Sequence, residues 1–484
     1  MRYAWFVVAI FAGRFFATAA YFPPIDGDLS WQRWLGERIA TTASLPDRLG
    51  RETFTAIGAP WVPQEWLFSI LAYRAGVHGW FWLAVACAAC ATLALAVCGW
   101  RAQRLGASPA GVAVAVGAAG IALLASFGVR AQVVAWPLLA AFVLLLEIDG
   151  PLSYCAIAVT ALWSNVHASV MLAPVLAAVF FAGTLVDRGW DRRARRYALI
   201  SVGCACATLA NPLGWKLPLY AVSLFASPIK SMIVEWKLTD LGDQPFAYGA
   251  LPLIVCLLAF GLHGADRWRD RVLLATVAWL MFSAARNISV FALVASPLVA
   301  VALSSAFSDS RAGSSAPRFV LTRGLRIAES CAALGLAVFI GGMLVRAEAA
   351  GAVPDTQPHR ALAAIEALPG PANVFCADFT WCSFLLGAPR ARVFLDGRAD
   401  PYPRGVWDDY NAVIHVRPAW QATLARRCVD VVLLERTSAL EQAISLSGAW
   451  RSLYSDGTFR AWVRLKVTTL PKDCRRLPPA STLR

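Results

Sequence analysis

The chain has 484 residues, is 58% hydrophobic and only 15% charged, and carries a formal net charge of +14. Soluble domains hold about 25% charged residues, so this composition excludes an ordinary soluble protein. The positive charge is mostly arginine in short loops, without the aromatic-interleaved basic stripe of a nucleic-acid surface; it suits lipid headgroups and topology control, and no nucleic-acid partner is expected.

Apolar runs long enough to cross a bilayer, roughly 20 residues each, recur to about residue 347. The expected spans are 3–22, 78–100, 108–127, 131–149, 151–168, 170–187, 196–210, 247–264, 271–286, 288–308 and 327–347. The first run, with Ala17, Thr18 and Ala19 near its end, also fits a cleavable leader. An uncleaved helix is expected, because a candidate functional loop follows at once. Arg14 interrupts this helix and is expected to face the bundle interior.

That loop, 23–64, opens with Asp26-Gly27-Asp28-Leu29-Ser30-Trp31-Gln32-Arg33-Trp34. Two carboxylates two residues apart at a membrane surface can hold a divalent ion, Mg or Mn, or act on a phosphate-linked substrate. Asp28 also reads as a helix N-cap. The segment through Trp31, Trp34, Leu35 and Ile39 reads as an interfacial helix with its tryptophans at headgroup level. The apolar stretch 65–76 is too short to span.

Arginine clusters follow the second, sixth, eighth and tenth spans: Arg101 and Arg104; Arg188, Arg192, Arg193, Arg195 and Arg196; Arg267, Arg269 and Arg271; Arg311, Arg318, Arg323 and Arg326. All fall on one side, which the positive-inside rule makes cytoplasmic. Arg33, Arg38, Arg48 and Arg51 in the first loop are outvoted. The N-terminus is then inside and the tail outside.

The tail is a different material. Strand-like stretches at 372–377, 391–395, 429–434 and 459–465 alternate with helical patterns near 358–367, 404–415, 418–427 and 437–447. That order predicts an extracytoplasmic α/β domain over 351–484, following a polytopic helical membrane domain over 1–350. Cys376, Cys382, Cys428 and Cys474 lie in the tail without zinc-type spacing; one or two disulfides are allowed there, with connectivity open.

With this topology the unusual polar residues collect at the outer face: Asp26, Asp28 and Glu65, then Arg130, Asn165, His167, Asn211, Glu235, Arg286 and Asn287. Ionisable groups at membrane depth are expensive and mark functional sites. Arginine forks phosphate bidentately, and His167 reads as a base, a ligand or a hydrogen-bonded structural histidine. The bland readings are a dipole cap for Glu65, snorkelling anchors for Arg130 and Arg286, a helix stop for Asn211 and a water-facing carboxylate for Glu235. In the tail, Asp396-Gly397-Arg398 reads first as a tight turn and second as a polar cluster at a strand end.

These residues together, with Pro60-Trp61, Glu65-Trp66-Leu67, Asn211-Pro212-Leu213-Gly214-Trp215 and Glu235-Trp236, resemble a group of bacterial integral membrane proteins within the GT-C glycosyltransferase superfamily. The resemblance runs over nearly the whole chain. It implies a GT-C-like helical body, a polyprenyl-phosphate sugar donor, and Asp26 and Asp28 as catalytic or metal-associated acids. It further implies an envelope acceptor, whether glycan, lipid or protein, at the outer face. Glu65, Arg130, Asn165, His167, Glu235 and Arg286 are the candidate substrate-binding residues. Gln32 stands where this group is expected to carry histidine. The competing reading is a non-catalytic transporter or envelope-assembly scaffold with a degenerate GT-C body, which would tolerate loss of Asp26.

Overall fold

The computed structural model describes residues 2–21, 27–78, 80–226, 232–239, 267–309 and 357–465. The chain divides into two compact units. One comprises Met1–Pro24, Gln64–Phe68 and Ala75–Gly351; the other comprises Ile25–Pro63, Ser69–Arg74 and Ala352–Arg484. The first loop therefore groups with the tail.

The first unit is helical. Helices run over Arg2–Tyr21, Trp80–Arg104, Pro109–Ala125, Ala131–Glu147, Cys155–Trp163, Leu172–Arg188, Arg192–Ala207, Lys216–Ala226, Trp268–Ser283 and Ile288–Asp309. Nine of them fall on expected spans; Lys216–Ala226 matches none, and the expected spans 247–264 and 327–347 lie outside the described residues. Among the described residues, three stretches are long and apolar enough to cross a membrane: Phe81–Arg104, Ala168–Arg188 and Ala285–Ser304. Five shorter apolar helices accompany them. Among the described residues, length and hydropathy thus mark three of the eleven expected crossings.

The first helix belongs to the bundle core. Phe15 is buried, and its ring lies 5.0 Å from that of Phe127. Arg14 corrects the sequence reading. It is exposed, because its neighbours Gly13 and Phe15 take the inward positions. A long arginine stem can lie along an apolar surface while its head reaches a polar layer.

A buried ion pair ties three helices together. Pro297 lies inside Ile288–Asp309 and has no N–H to offer the carbonyl of Leu293 one turn earlier. Other donors fill the gap: Cys98 Sγ reaches Leu293 O at 3.2 Å, and Arg101 Nη1 donates to Val294 O at 2.8 Å. Arg101 Nε donates to Glu147 at 2.7 Å, and both side chains are nearly inaccessible. Arg101 belongs to the cluster after the second expected span; in the structure it is a buried cross-link. Arg269 is similar, bonded to Asp270 and lying 5.1 Å from the Phe180 ring. Apolar flanks hide both from any reading that sees only charge.

The second unit holds a five-stranded sheet: β1 (Ala372–Cys376), β2 (Ala391–Val393), β3 (Val431–Glu435), β4 (Trp450–Ser455) and β5 (Phe459–Arg464), in the order β2-β1-β3-β5-β4. β1 pairs parallel with β2 and β3, and β5 pairs antiparallel with β3 and β4. Every residue of β1 is buried, as a strand covered on both faces requires. Helices at His359–Glu366, Arg404–Ile414, Trp420–Arg426 and Ala439–Leu446 stand where the sequence placed them. β4 is absent from the sequence reading. It is an edge strand, and its exposed Arg451 and Ser452 break the apolar pattern. A disulfide joins Cys376 to Cys382, and Cys428 is disulfide-bonded as well.

Candidate active site

In the helical unit, five of the expected binding residues make side-chain contacts with one another in two sets, Glu65, His167 and Arg286 in one and Arg130 with Glu235 in the other. The turn between Trp163 and Ala168 carries His167, whose Nδ1 accepts from the Ser169 N–H at 3.0 Å and lies 2.8 Å from Ser169 Oγ. Ser169 Oγ itself takes the Trp163 indole N–H at 3.0 Å, so its own proton is directed to His167. Two donors on Nδ1 leave the ring proton on Nε2. Nε2 then donates to Glu65 Oε1 at 3.3 Å. Gln64 steadies that carboxylate, donating to Oε1 at 2.9 Å while its own oxygen accepts from the Ala168 N–H.

Arg286 closes on the same histidine. Its Nη2 lies 3.5 Å from His167 Nε2 and 3.3 Å from Gln132 Oε1, and its guanidinium sits 5.4 Å from the Trp236 ring centroid. Gln132 returns a bond to the Arg286 carbonyl at 3.2 Å. The neighbouring Glu235 takes Arg130 Nη1 at 3.1 Å, in a partly exposed pair. Among the described residues, Arg286 has no carboxylate within ion-pair distance. It is a cation held by an aromatic face and neutral amides, an arrangement suited to a ligand's negative charge.

Asn165 stands apart. Its Nδ2 donates to Ala161 O and Ala210 O, both at 2.8 Å, fastening two helix ends. Asn211 is the helix stop its sequence suggests, capping Thr208 O and holding the Leu213 N–H. Gln132 and Trp236 were missed as partners of Arg286. A glutamine opening an apolar helix beside Arg130 was the available signal for the first.

The sheet unit holds Asp28; Asp26 lies outside the described residues. Asp28 is in the first turn of helix Gly27–Thr42, where the helix dipole favours a carboxylate. That helix is seated on the tail. A Cβ on Gly27 would lie 2.0 Å from Thr380 O, and one on Gly397 would lie 3.0 Å from Asp28 Oδ1. Trp31 and Trp34 pack on the sheet-domain core. This corrects their expected place at the lipid surface, since the same apolar face fits a protein core. Gln32 is buried and accepts a bond from Ser69.

The Asp396-Gly397-Arg398 turn is more than a turn. Arg398 is fully buried, donating from Nε at 2.9 Å and Nη2 at 2.7 Å to the two oxygens of Asp396, and from Nη1 to Glu52 at 2.8 Å. The Trp34 and Trp61 rings each lie 5.0 Å from its guanidinium carbon, and Tyr402 donates to Asp396. Among the described residues no group of three or more His, Cys, Asp or Glu side chains could hold a metal ion.

No family model matches this sequence, and no curated protein matches it. Solved structures do. The oligosaccharyltransferase AglB from Archaeoglobus fulgidus, in complex with an inhibitory peptide and a dolichol-phosphate, aligns with a TM-score of 0.56 at 11% identity, over 88% of this chain and 69% of that one. The same organism's oligosaccharyltransferase in complex with Zn and sulfate gives 0.53 at 12% identity, over 94% and 73%. This chain shares the fold of these oligosaccharyltransferases. ArnT from Cupriavidus metallidurans also aligns, over 95% of this chain and 98% of that one, at 14% identity and a TM-score of 0.49. At such identities the likeness is one of fold.

Proposed function

We propose that this protein is a membrane glycosyltransferase that moves a sugar from a polyprenyl-phosphate donor to an envelope acceptor on the outer face of a bacterial inner membrane. The observation that carries the reading is Arg286: a guanidinium without a carboxylate partner among the described residues, set on Trp236 beside His167 and Gln132. A departing lipid phosphate gains negative charge, and a pre-placed guanidinium stabilises that charge without reorganising. Asp26 and Asp28 are the proposed acids, one serving as base toward the acceptor hydroxyl. His167, neutral and donating to Glu65, is less suited to be that base. Asn165 is withdrawn from the binding set, because its amide is occupied by carbonyls.

A divalent ion, Mg or Mn, fits the Asp26–Asp28 pattern by charge. Of that pair Asp28 alone is described, and the steps above run without an ion. The Cys376–Cys382 disulfide supports an extracytoplasmic tail, since such bonds persist in oxidising compartments. A cytoplasmic N-terminus follows from the arginine distribution. Alkaline phosphatase fused at Arg484 is expected to be active; an inactive fusion alongside a fluorescent cytoplasmic reporter would invert the topology.

The donor reading is tested with purified full-length protein, a long-chain polyprenyl monophosphate and the corresponding uncharged polyprenol. The phosphate is expected to bind more tightly. Arg286→Ala should weaken that preference about tenfold or more, a charged hydrogen bond being worth ~1.5–3 kcal/mol. Equal binding of phosphate and alcohol would refute the donor class.

A further inference from the structure

The first loop is built into the sheet domain. Residues 52–55 lie along the outer edge of β2: the Val393 N–H donates to Glu52 O at 2.8 Å, Phe54 N–H donates to Val393 O at 3.3 Å, and Thr53 forms a parallel bridge with Val393. Extended chain added to a sheet edge in this way is held by main-chain bonds whatever its side chains. Beyond that edge the loop supplies Glu52, Trp34 and Trp61, and these three close around Arg398.

The charge count is informative. Asp396 already gives Arg398 one full negative charge and a bidentate pair within the turn. That pair balances the charge but leaves the buried Nη1 donors of the guanidinium in need of an acceptor from elsewhere. Glu52 is a second carboxylate, brought from 346 residues away. Its effect is to fix the loop against the turn. The same turn holds Gly397, whose missing side chain makes room for Asp28, and the neighbouring Thr380 carbonyl meets Gly27 where the acidic helix starts.

We propose that Arg398 is a positioning residue for the first-loop acid Asp28, and that Glu52, Arg398 and Asp396 form a clamp by which the C-terminal domain sets its place. The proposal rests on the glycosyltransferase reading for what Asp28 does, and on the sheet unit alone for how it is held. A displacement of about 1 Å at a reacting group can cost on the order of a hundredfold in rate, so a clamp acting through backbone contacts affects turnover more than donor binding.

The test uses Glu52→Gln and Arg398→Lys in the full-length protein. Glu52→Gln leaves the Arg398–Asp396 pair in place, so the domain keeps its fold. Both variants are expected to raise hydrogen exchange over residues 27–63 while β1, β3 and β5 stay protected. The rate at saturating lipid donor should fall about ten- to a hundredfold with KM nearly unchanged. Unaltered exchange over 27–63 would overturn the clamp, as would raised exchange with an unaltered rate, or a raised KM with an unaltered rate. A wild-type protein that transfers no sugar from lipid-phosphate donors overturns the function and not the clamp, which the exchange measurement decides by itself.

Discussion

Asp26→Asn and Asp28→Asn, made singly, are each expected to lower sugar transfer by about a hundred- to ten-thousandfold, the range general acid–base groups supply. Folding should survive. Asparagine keeps the shape and one acceptor oxygen, and the dipole contribution of a first-turn carboxylate is worth only ~0.3–1 kcal/mol. The packing around Asp28 reinforces this separation, because Gly27, Trp31 and Trp34 supply the contacts that seat the helix. Unfolding temperature and membrane level measured beside activity separate chemistry from stability. Full complementation of a deletion strain by Asp26→Asn would favour the scaffold reading.

The largest stability effect is expected in the helical unit. Glu147→Ala removes the carboxylate that, among the described residues, is bonded to buried Arg101. Breaking a buried pair from one side costs about 3–5 kcal/mol, mostly the penalty of stranding the remaining charge. Arg101→Met combined with Glu147→Ala should recover part of that loss, since no charge is then left behind. The carbonyl of Val294 would still lose the Arg101 donor, while Leu293 keeps Cys98, so recovery stays incomplete. Thermal unfolding in detergent reads both variants. A double variant that unfolds at a lower temperature than Glu147→Ala would disprove this account.

What the sequence shows and hides follows from where partners come from. Most helices and strands are local patterns, and among the described residues they stand where the sequence places them; β4 and the helix Lys216–Ala226 are the exceptions. Glu65, His167, Arg286, Arg130 and Glu235 stand out because an ionisable residue beside apolar runs is conspicuous alone. Their pairing is not readable, since Gln132, Ser169 and Trp236 meet them only after folding. Trp31 and Trp34 form an apolar face that a headgroup layer and a protein core satisfy equally. Asp396-Gly397-Arg398 has turn composition, and nothing nearby announces Glu52 or the two tryptophans. Arg14 misleads for the opposite reason: charge in a span predicts an interior place, while side-chain length permits an exterior one.

The stitching of residues 52–55 to β2 has a consequence for synthesis. Glu52 leaves the ribosome 346 residues ahead of Arg398. At about 5–20 residues per second, the loop waits roughly 20–70 s for the strand and cation it packs against. Throughout that interval Trp31, Trp34 and Trp61 have no sheet to cover them. The newborn loop is therefore a natural client for a holding chaperone on whichever side of the membrane it emerges, and slowing translation between residues 64 and 390 should lengthen its exposure to protease in proportion.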